Sequence, residues 1–262
     1  MSRGLTIADL VQQVLYSIYK VRLDVDESLE GSFHCKSDKF KEIVMEANFV
    51  LQELQKEQDW NFLRDRWEIG PAMNPHIPGG IQEIEIPPIV YKVCTGYGDA
   101  VRLHRGWRTM QIPFEEARTG NRRHVEMFDE CGRLNVDDGS QRAFTVGNIL
   151  TFNRPWLHGE VGCRLETDVI RYIEPLHICD STCPDHCPKA YDDRILTWLP
   201  DPYYVVVRTA ARRAEGDPSV SERVQSLTDE GSKILSAMRE NDSAHTVPDT
   251  YDTAVLGYVP VL

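Results

Sequence analysis

The hydrophobic and polar positions follow a helical period towards both ends of the chain and a strand-like period between them. Over residues 37–60, apolar side chains recur every three or four residues and charged side chains occupy the opposite face, which predicts an amphipathic α-helix. The apolar stripe comprises Phe40, Ile43, Val44, Ala47, Val50, Leu51 and Leu54. Ser37 fits the N-cap position, where its hydroxyl can accept a backbone N–H. Residues 60–63 break the period and predict an extended exit from the helix.

A shorter helix is predicted near the start of the chain. Thr6 and Asp9 have the spacing of a capping box, and the apolar stripe that follows them ends near Tyr19. Residues 21–36 are rich in carboxylates and poor in apolar anchors, so they predict an exposed acidic loop.

Two further helices are predicted after residue 198. Asp201 and Pro202 fit the N-cap and the first position of one helix, and residues 216–218 end it and start the next. Gly231 lies inside the second helix, where the missing side chain would let a neighbour approach closely.

Residues 64–175 have the pattern of short strands separated by turns. Asp-Gly at 138–139 and Gly-Asn at 147–148 lie between short apolar runs and are typical of hairpins. A short helix is predicted at 113–118. The predicted strands are 64–69, 100–104, 133–136, 143–146, 149–152 and 163–173, with extended segments around Ile84, Ile86, Ile89, Val90 and Val93. This part is therefore expected to form an antiparallel sheet module.

Net charge, the lengths of the apolar runs and the cysteine count limit the classes of function that fit this chain. The 262 residues carry a formal net charge of −12, which argues against nucleic-acid binding by the whole surface but leaves room for a local basic patch. No apolar run approaches the roughly 20 residues of a membrane helix, and the N-terminus lacks the apolar core of a signal peptide. Seven cysteines, an odd number, predict a reducing, cytosolic origin with mostly free thiols.

The sharpest chemical signal is a cluster of three cysteines and two histidines within residues 177–187. Thiolate and imidazole groups suit zinc, and a loop without its own core would gain order from the metal. The candidate ligands are Cys179, Cys183, His186 and Cys187. The spacing is Cys-x3-Cys-x3-Cys, not the paired Cys-x2-Cys of common zinc sites. A polar loop with free thiols is therefore the favoured interpretation, and no cofactor is expected.

A second signal is a run of arginines around an aromatic residue. Its members, treated as interface candidates, are Arg102, Arg105, Trp107, Arg108, Arg122 and Arg123. Arginine beside an aromatic ring can bind a phosphate backbone. Because carboxylates such as Glu115 and Glu126 are interspersed, pairing of these arginines with acidic neighbours at a protein interface is favoured.

The sequence carries little that indicates catalysis. It contains no Gly-x-Ser-x-Gly, no Walker loop and no His-Glu-x-x-His. Acidic pairs such as Asp192–Asp193 lie in turn-like sequence, where caps and solvated loops explain them. The chain is therefore predicted not to be an enzyme.

The C-terminal segment, residues 242–262, lacks a helical period but is rich in apolar side chains. Exposure of apolar surface costs ~25 cal/mol per Å², so this segment is expected either to fold back on its own domain or to dock on a partner. The candidate docking residues are Tyr251, Val255, Leu256, Tyr258, Val259, Val261 and Leu262.

These patterns together predict an α+β fold. N- and C-terminal helices are expected to form a helical bundle, with an inserted antiparallel β module and an extended C-terminal tail, because each helix has one apolar stripe that needs a partner. The predicted parts are N-terminal helices at 1–63, a β-rich module at 64–175, a Cys/His-containing loop at 176–198, C-terminal helices at 199–241 and a docking tail at 242–262.

Several short motifs occur in a distinctive order. A capped helix and a long amphipathic helix ending in EQDWNF at 57–62 precede IPPIVYKV at 86–93, a variable β-rich insert, Tyr172-Ile173, and LPDPYY at 199–204 before two terminal helices. This layout resembles the head-to-tail adaptor proteins of short-tailed bacteriophages, of the connector or tail-tubular type. The resemblance covers 1–93 and 195–241, and the Cys/His loop is not part of the family pattern.

The resemblance implies a structural virion protein, assembled in the host cytoplasm, that forms a dodecameric ring in the neck of the particle. The ring would sit beneath the portal protein, extend the DNA channel and offer a platform to the tail nozzle or tail tube protein. The C-terminal segment would run against the portal. Genomic DNA would pass through the lumen without sequence-specific binding, and no membrane is involved.

Two alternatives stay open. One is a zinc-binding, nucleic-acid-binding regulator or enzyme that uses the 177–187 cluster and the arginine run. The other is a tail or collar protein attached elsewhere on the virion.

Overall fold

The computed structural model describes residues 5–20, 35–69, 83–95, 99–105, 108–114, 143–152, 163–178, 188–191 and 193–244. These residues form helices and antiparallel strand pairs, which confirms the predicted α+β class. The chain divides into two compact units. The helical unit comprises Met1–Phe62 and Ile173–Leu262, and the β unit comprises Leu63–Tyr172.

The helical unit is organised around a helix that is buried on most of its circumference. This helix, α4, packs against α1, α2 and α5, and even its consecutive residues Val205, Val206 and Val207 are buried. β-Branched residues favour strands when considered alone, but here burial of the three valines against neighbouring helices outweighs that preference. The helices are α1 (Ile7–Tyr19), α2 (Asp38–Glu57), α3 (Pro188–Tyr191), α4 (Tyr203–Glu215) and α5 (Glu222–Ala244).

Two of the three predicted N-caps are present, at Thr6 and Ser37. The Thr6 hydroxyl accepts the Asp9 N–H at 3.0 Å, and the Asp9 carboxylate accepts the Thr6 N–H at 3.1 Å. Ser37 caps α2 by accepting the Phe40 N–H at 3.3 Å. The prediction for α4 was wrong by one residue, since Pro202 is the N-cap and the helix begins at Tyr203.

Two local predictions near α2 are corrected. Residues Asn61–Leu63 form a 3-10 turn and not an extended exit, because a carboxylate from α5 accepts the first N–H of that turn. Cys35 was assigned to an exposed loop but is buried, and its N–H donates to the Tyr191 hydroxyl at 3.1 Å. Residues 21–34 of that predicted loop lie outside the described residues.

The β unit contains a five-stranded sheet centred on one long strand, β8. One edge of β8 pairs with β1, the other edge pairs with β4 and β3, and β5 pairs with β4. A three-stranded sheet has the order β2–β7–β6. The strands are β1 (Arg64–Ile69), β2 (Glu83–Glu85), β3 (Val90–Val93), β4 (Ala100–Arg105), β5 (Arg108–Pro113), β6 (Ala143–Val146), β7 (Ile149–Phe152) and β8 (Cys163–Arg171).

Side chains from both sheets form the core of the β unit, which includes Leu103, Ile112, Leu150, Phe152 and Leu165. Along β4, for example, Val101 and Leu103 are buried in this core and alternate with the polar Arg102 and His104.

The predicted Gly-Asn hairpin is confirmed between β6 and β7, where Gly147 has φ +58 and accepts a conformation that other residues avoid. The predicted helix at 113–118 was wrong at its start, because Pro113 ends β5 and Phe114 forms a bridge with Ala143. The predicted strand at 133–136 lies outside the described residues.

Candidate functional site

A buried glutamate lies at the centre of the polar face of the five-stranded sheet. Glu166 is 2% exposed, and its Oε1 lies 3.0 Å from Arg102 Nε and 3.6 Å from Arg66 Nε. His104 Nε2 is 3.1 Å from the same oxygen, but its geometry is not that of a hydrogen bond. These side chains meet because β1 and β4 pair with opposite edges of β8. Residues far apart in sequence therefore share one charged centre.

Arg102 connects two carboxylates on β8. Its Nη2 lies 2.5 Å from Asp168 Oδ1, beside its contact with Glu166. Burial lowers the pKa of Arg102, but the hydrogen bond to Asp168 and the charges of Asp168 and Glu166 outweigh burial, so its pKa is raised. The guanidinium is thus held charged by two partners within the same sheet.

A second arginine lies beside a buried thiol. Arg64 Nη2 lies 3.1 Å from Asp99 Oδ1, and the Arg64 guanidinium also interacts with the Cys94 thiol. Burial raises the pKa of Cys94, and the opposing effect of Arg64 is smaller, so the net pKa is raised. Cys94 is therefore a protonated thiol at neutral pH and lacks the thiolate character of a reactive cysteine.

Thr109, His104 and Glu166 form a chain of hydroxyl, imidazole and carboxylate groups. The Thr109 Oγ1 lies 3.0 Å from His104 Nδ1. This order resembles the connectivity of hydrolytic triads. However, His104 Nε2 makes no hydrogen bond to Glu166, and the same carboxylate oxygen is paired with Arg102 and Arg66. The chain of groups is better explained as part of the charge network of the sheet.

Only part of the predicted arginine set lies within the described residues. Arg102 belongs to the network, and Arg105 and Arg108 face each other in the register of β4 and β5. Trp107, Arg122, Arg123 and the side chains of Arg105 and Arg108 lie outside the described residues.

The other two predicted sites also lie beyond the described parts of the chain. They are the candidate zinc ligands Cys179, Cys183, His186 and Cys187 and the docking residues Tyr251, Val255, Leu256, Tyr258, Val259, Val261 and Leu262. Within the described ranges, no group of three or more His, Cys, Asp or Glu side chains is arranged to hold a metal ion.

Two exposed apolar groups were not singled out from the sequence. In the β unit, Tyr91 and Tyr172 pack edge to face with ring centroids 5.1 Å apart, next to the exposed Ile89. In the helical unit, Met45 and Phe49 lie one turn apart on α2, and each is 48% exposed. The sequence signal for Met45 and Phe49 was their spacing of four residues on a face of α2 outside its main apolar stripe. Exposed aromatic and Met side chains are typical of interfaces.

No protein-family model and no curated protein matches this chain in sequence. Among the helices described, none is long and apolar enough to cross a membrane.

Proposed function

We propose that this chain is a structural virion protein, a head-to-tail adaptor of a short-tailed bacteriophage that joins the portal to the tail and extends the DNA channel. The observation that carries the proposal is the layout. Helices from both ends of the chain form one unit, and an antiparallel β unit is inserted between them. The family resemblance noted from the sequence has the same order of elements.

The charge distribution and the exposed apolar groups support a role in binding other proteins. Arg102 is paired with carboxylates and is not available as a free cation for phosphate. Met45, Phe49, Tyr91 and Tyr172 offer apolar contacts of the kind found in protein interfaces. Neither feature requires a chemical reaction.

In this proposal the chain assembles with itself as a dodecameric ring in the neck of the virion. Its partners are the portal protein and the tail nozzle or tail tube protein, and genomic DNA passes through the lumen. The docking segment after α5 would contact the portal. Assembly would take place in the host cytoplasm.

The decisive experiment mixes the purified chain with portal rings and images the product by electron microscopy, with native mass spectrometry to count subunits. The expected result is a ring of this chain on one end of the portal. A matched chain that stops at Ala244, the last residue of α5, should keep its helices and fail to assemble. A folded, full-length chain that ignores the portal would contradict the proposal.

An assembled ring also tests the charge of the channel. With a net charge of −12, the chain is expected to place more acidic than basic side chains on the inner surface, because negative charge repels passing DNA and prevents sticking. An arginine-lined channel would refute this expectation.

The zinc-dependent alternative is tested separately by metal analysis of the purified protein. Stoichiometric zinc that disappears in Cys183→Ser, together with loss of a nucleic-acid-binding or enzymatic activity, would favour the alternative. A metal-free chain that binds the portal would favour the adaptor.

A further inference from the structure

The end of α5 is tied to the segment through which the chain leaves the helical unit. Asp242 is buried, and its carboxylate accepts the Asn61 N–H, with Oδ1 at 2.9 Å and Oδ2 at 3.2 Å. Gln58 Nε2 donates to the same carboxylate at 3.3 Å, and Asn61 Nδ2 donates to the Asp242 carbonyl at 2.9 Å. Asp242 therefore caps the 3-10 turn at 61–63 from a helix 181 residues away in sequence.

The segment through which the chain returns to the helical unit is held by α2 and not by α5. The Ile173 N–H donates to Gln55 Oε1 at 2.7 Å, and Gln55 is a buried residue of α2. Both points of crossing are thus fixed by buried side chains of the helical unit. Only the exit from the helical unit, at Asn61, is held by a side chain of α5.

Asp242 lies in the last turn of α5, so its contact with Asn61 connects a helix end to another turn. α5 ends at Ala244, so residues 242–244 of the predicted docking tail are helical, and the rest of the docking segment, residues 245–262, follows the helix. The last turn of a helix usually opens independently of the rest of the protein. Here that opening would also break the hydrogen bonds that Asn61 donates to Asp242, so the first amide of another turn would lose its acceptor. The two segments are therefore expected to open together.

We propose that Asp242 couples the end of α5 to residues 61–63, so that the two segments open as one cooperative unit. The hydrogen bonds of Asp242 with Gln58 and Asn61 are called the clasp below. Engagement of the docking segment that follows α5 then stabilises the segment that leads into β1. The identity of the engaging partner, the portal protein, rests on the proposed function. The clasp itself rests on the hydrogen bonds of Asp242 with Gln58 and Asn61.

The clasp is tested first in the isolated full-length chain by hydrogen exchange of individual amides. In the wild type, the amides at 61–63 and at 240–244 are expected to exchange with the same opening equilibrium. Asp242→Ala should speed exchange of the Asn61 amide about tenfold or more, because hydrogen bonds to a charged acceptor are lost. Asp229→Ala, an exposed position on the same helix, should leave Asn61 unchanged. Equal exchange at Asn61 in the wild type and Asp242→Ala would overturn the clasp.

Asp242→Asn keeps the size of the side chain and one carbonyl acceptor, so it should give intermediate exchange at Asn61. It replaces the alanine variant in the comparison if circular dichroism shows that Asp242→Ala has lost helix.

The second arm repeats the exchange measurement with bound portal rings. Binding should slow exchange at both 240–244 and 61–63 in the wild type, but only at 240–244 in Asp242→Ala. Protection confined to 240–244 in the wild type would overturn the coupling. If the wild type does not bind the portal, the proposed function fails, and the measurements on the isolated chain alone decide whether the clasp exists.

Discussion

At the scale of single residues, the stability of the β unit is linked to one carboxylate. Glu166 is buried and lies beside Arg66, Arg102 and His104, which reach it from two neighbouring strands. Removing one partner from a buried charge group is costly, because the remaining charges lose their compensation. Arg66 is 57% exposed, so water screens part of that loss.

Glu166→Gln is expected to lower the free energy of unfolding by about 2 kcal/mol. Urea unfolding of the full chain measures this change. The matched control is Glu85→Gln, since Glu85 is an exposed glutamate on β2, in the other sheet of the β unit. The control should change stability by less than ~0.5 kcal/mol. Equal losses in the two variants would show that Glu166 is not the centre of the network.

A second residue, Glu46 on α2, gives stability a dependence on pH. Burial raises the pKa of Glu46 above 4.5, and the nearby Arg213 lowers it by less, so the net pKa is raised. One of its oxygens, Oε2, is buried without a hydrogen-bond partner. The folded state therefore holds the proton more tightly than the unfolded state. This contribution to stability is complete below pH 4.5 and is lost as the pH rises through the folded pKa.

Glu46→Gln should remove this component. Its unfolding free energy relative to the wild type is expected to rise as the pH increases from 4.5 to 8, because only the wild type must ionise a partly buried carboxyl group. Urea unfolding at a series of pH values measures the difference. A difference that stays flat or falls over this range would contradict the pKa shift.

At the scale of elements, the contact between α4 and α5 depends on a missing side chain. A Cβ built at Gly231 would lie 2.7 Å from Arg208 Cδ, 3.2 Å from Arg208 Cγ and 3.7 Å from Val207 Cγ1. Gly231 therefore allows the close approach that the sequence suggested. The cost of glycine inside a helix is offset by this packing.

Gly231→Ala is expected to act differently in two backgrounds. Alanine favours a helix over glycine by about 1 kcal/mol, so Gly231→Ala should stabilise a chain that already carries Arg208→Ala. With Arg208 present, the clash should reduce or reverse that gain. A double-mutant cycle from thermal or urea unfolding gives the coupling between the two positions. An identical effect in both backgrounds would mean that the helices are not in close contact there.

At the scale of the whole molecule, the helical unit is assembled from two distant parts of the chain. The β unit enters and leaves through paired strands, since Arg64 of β1 lies opposite Ile170 of β8. Antiparallel partners lie about 5 Å apart, so a short linker can replace the insertion. α4, in the second of these parts, packs against α1 and α2, in the first. The N-terminal helices therefore depend on the C-terminal part for their packing.

Replacing Leu63–Tyr172 by a short Gly/Ser linker should leave a helical protein that unfolds cooperatively. Circular dichroism and thermal unfolding measure this. The control ends at Phe62 and should not fold, because it lacks α4 and α5. A linker variant as unfolded as this control would show that the helical unit is not stable alone.

Much of the local structure could be predicted from the sequence because its causes are local. The stripe of α2, the capping box of Thr6 and Asp9 and the Gly147 hairpin each depend on residues within a few positions of one another. β5 was equally local but was missed, because the predicted helix at 113–118 was placed over the end of this strand. The α+β class followed from the sum of these patterns.

What only the tertiary structure decided are contacts between residues far apart in the chain. The sequence indicated that Arg102 pairs with carboxylates, but only the pairing of β4 with β8 selects Glu166 and Asp168. Asn61 begins a 3-10 turn because Asp242 reaches it from α5. The physical reason is the same in both cases. Local spacing determines which face of an element is apolar, whereas the partner of a buried polar group depends on which elements pack together.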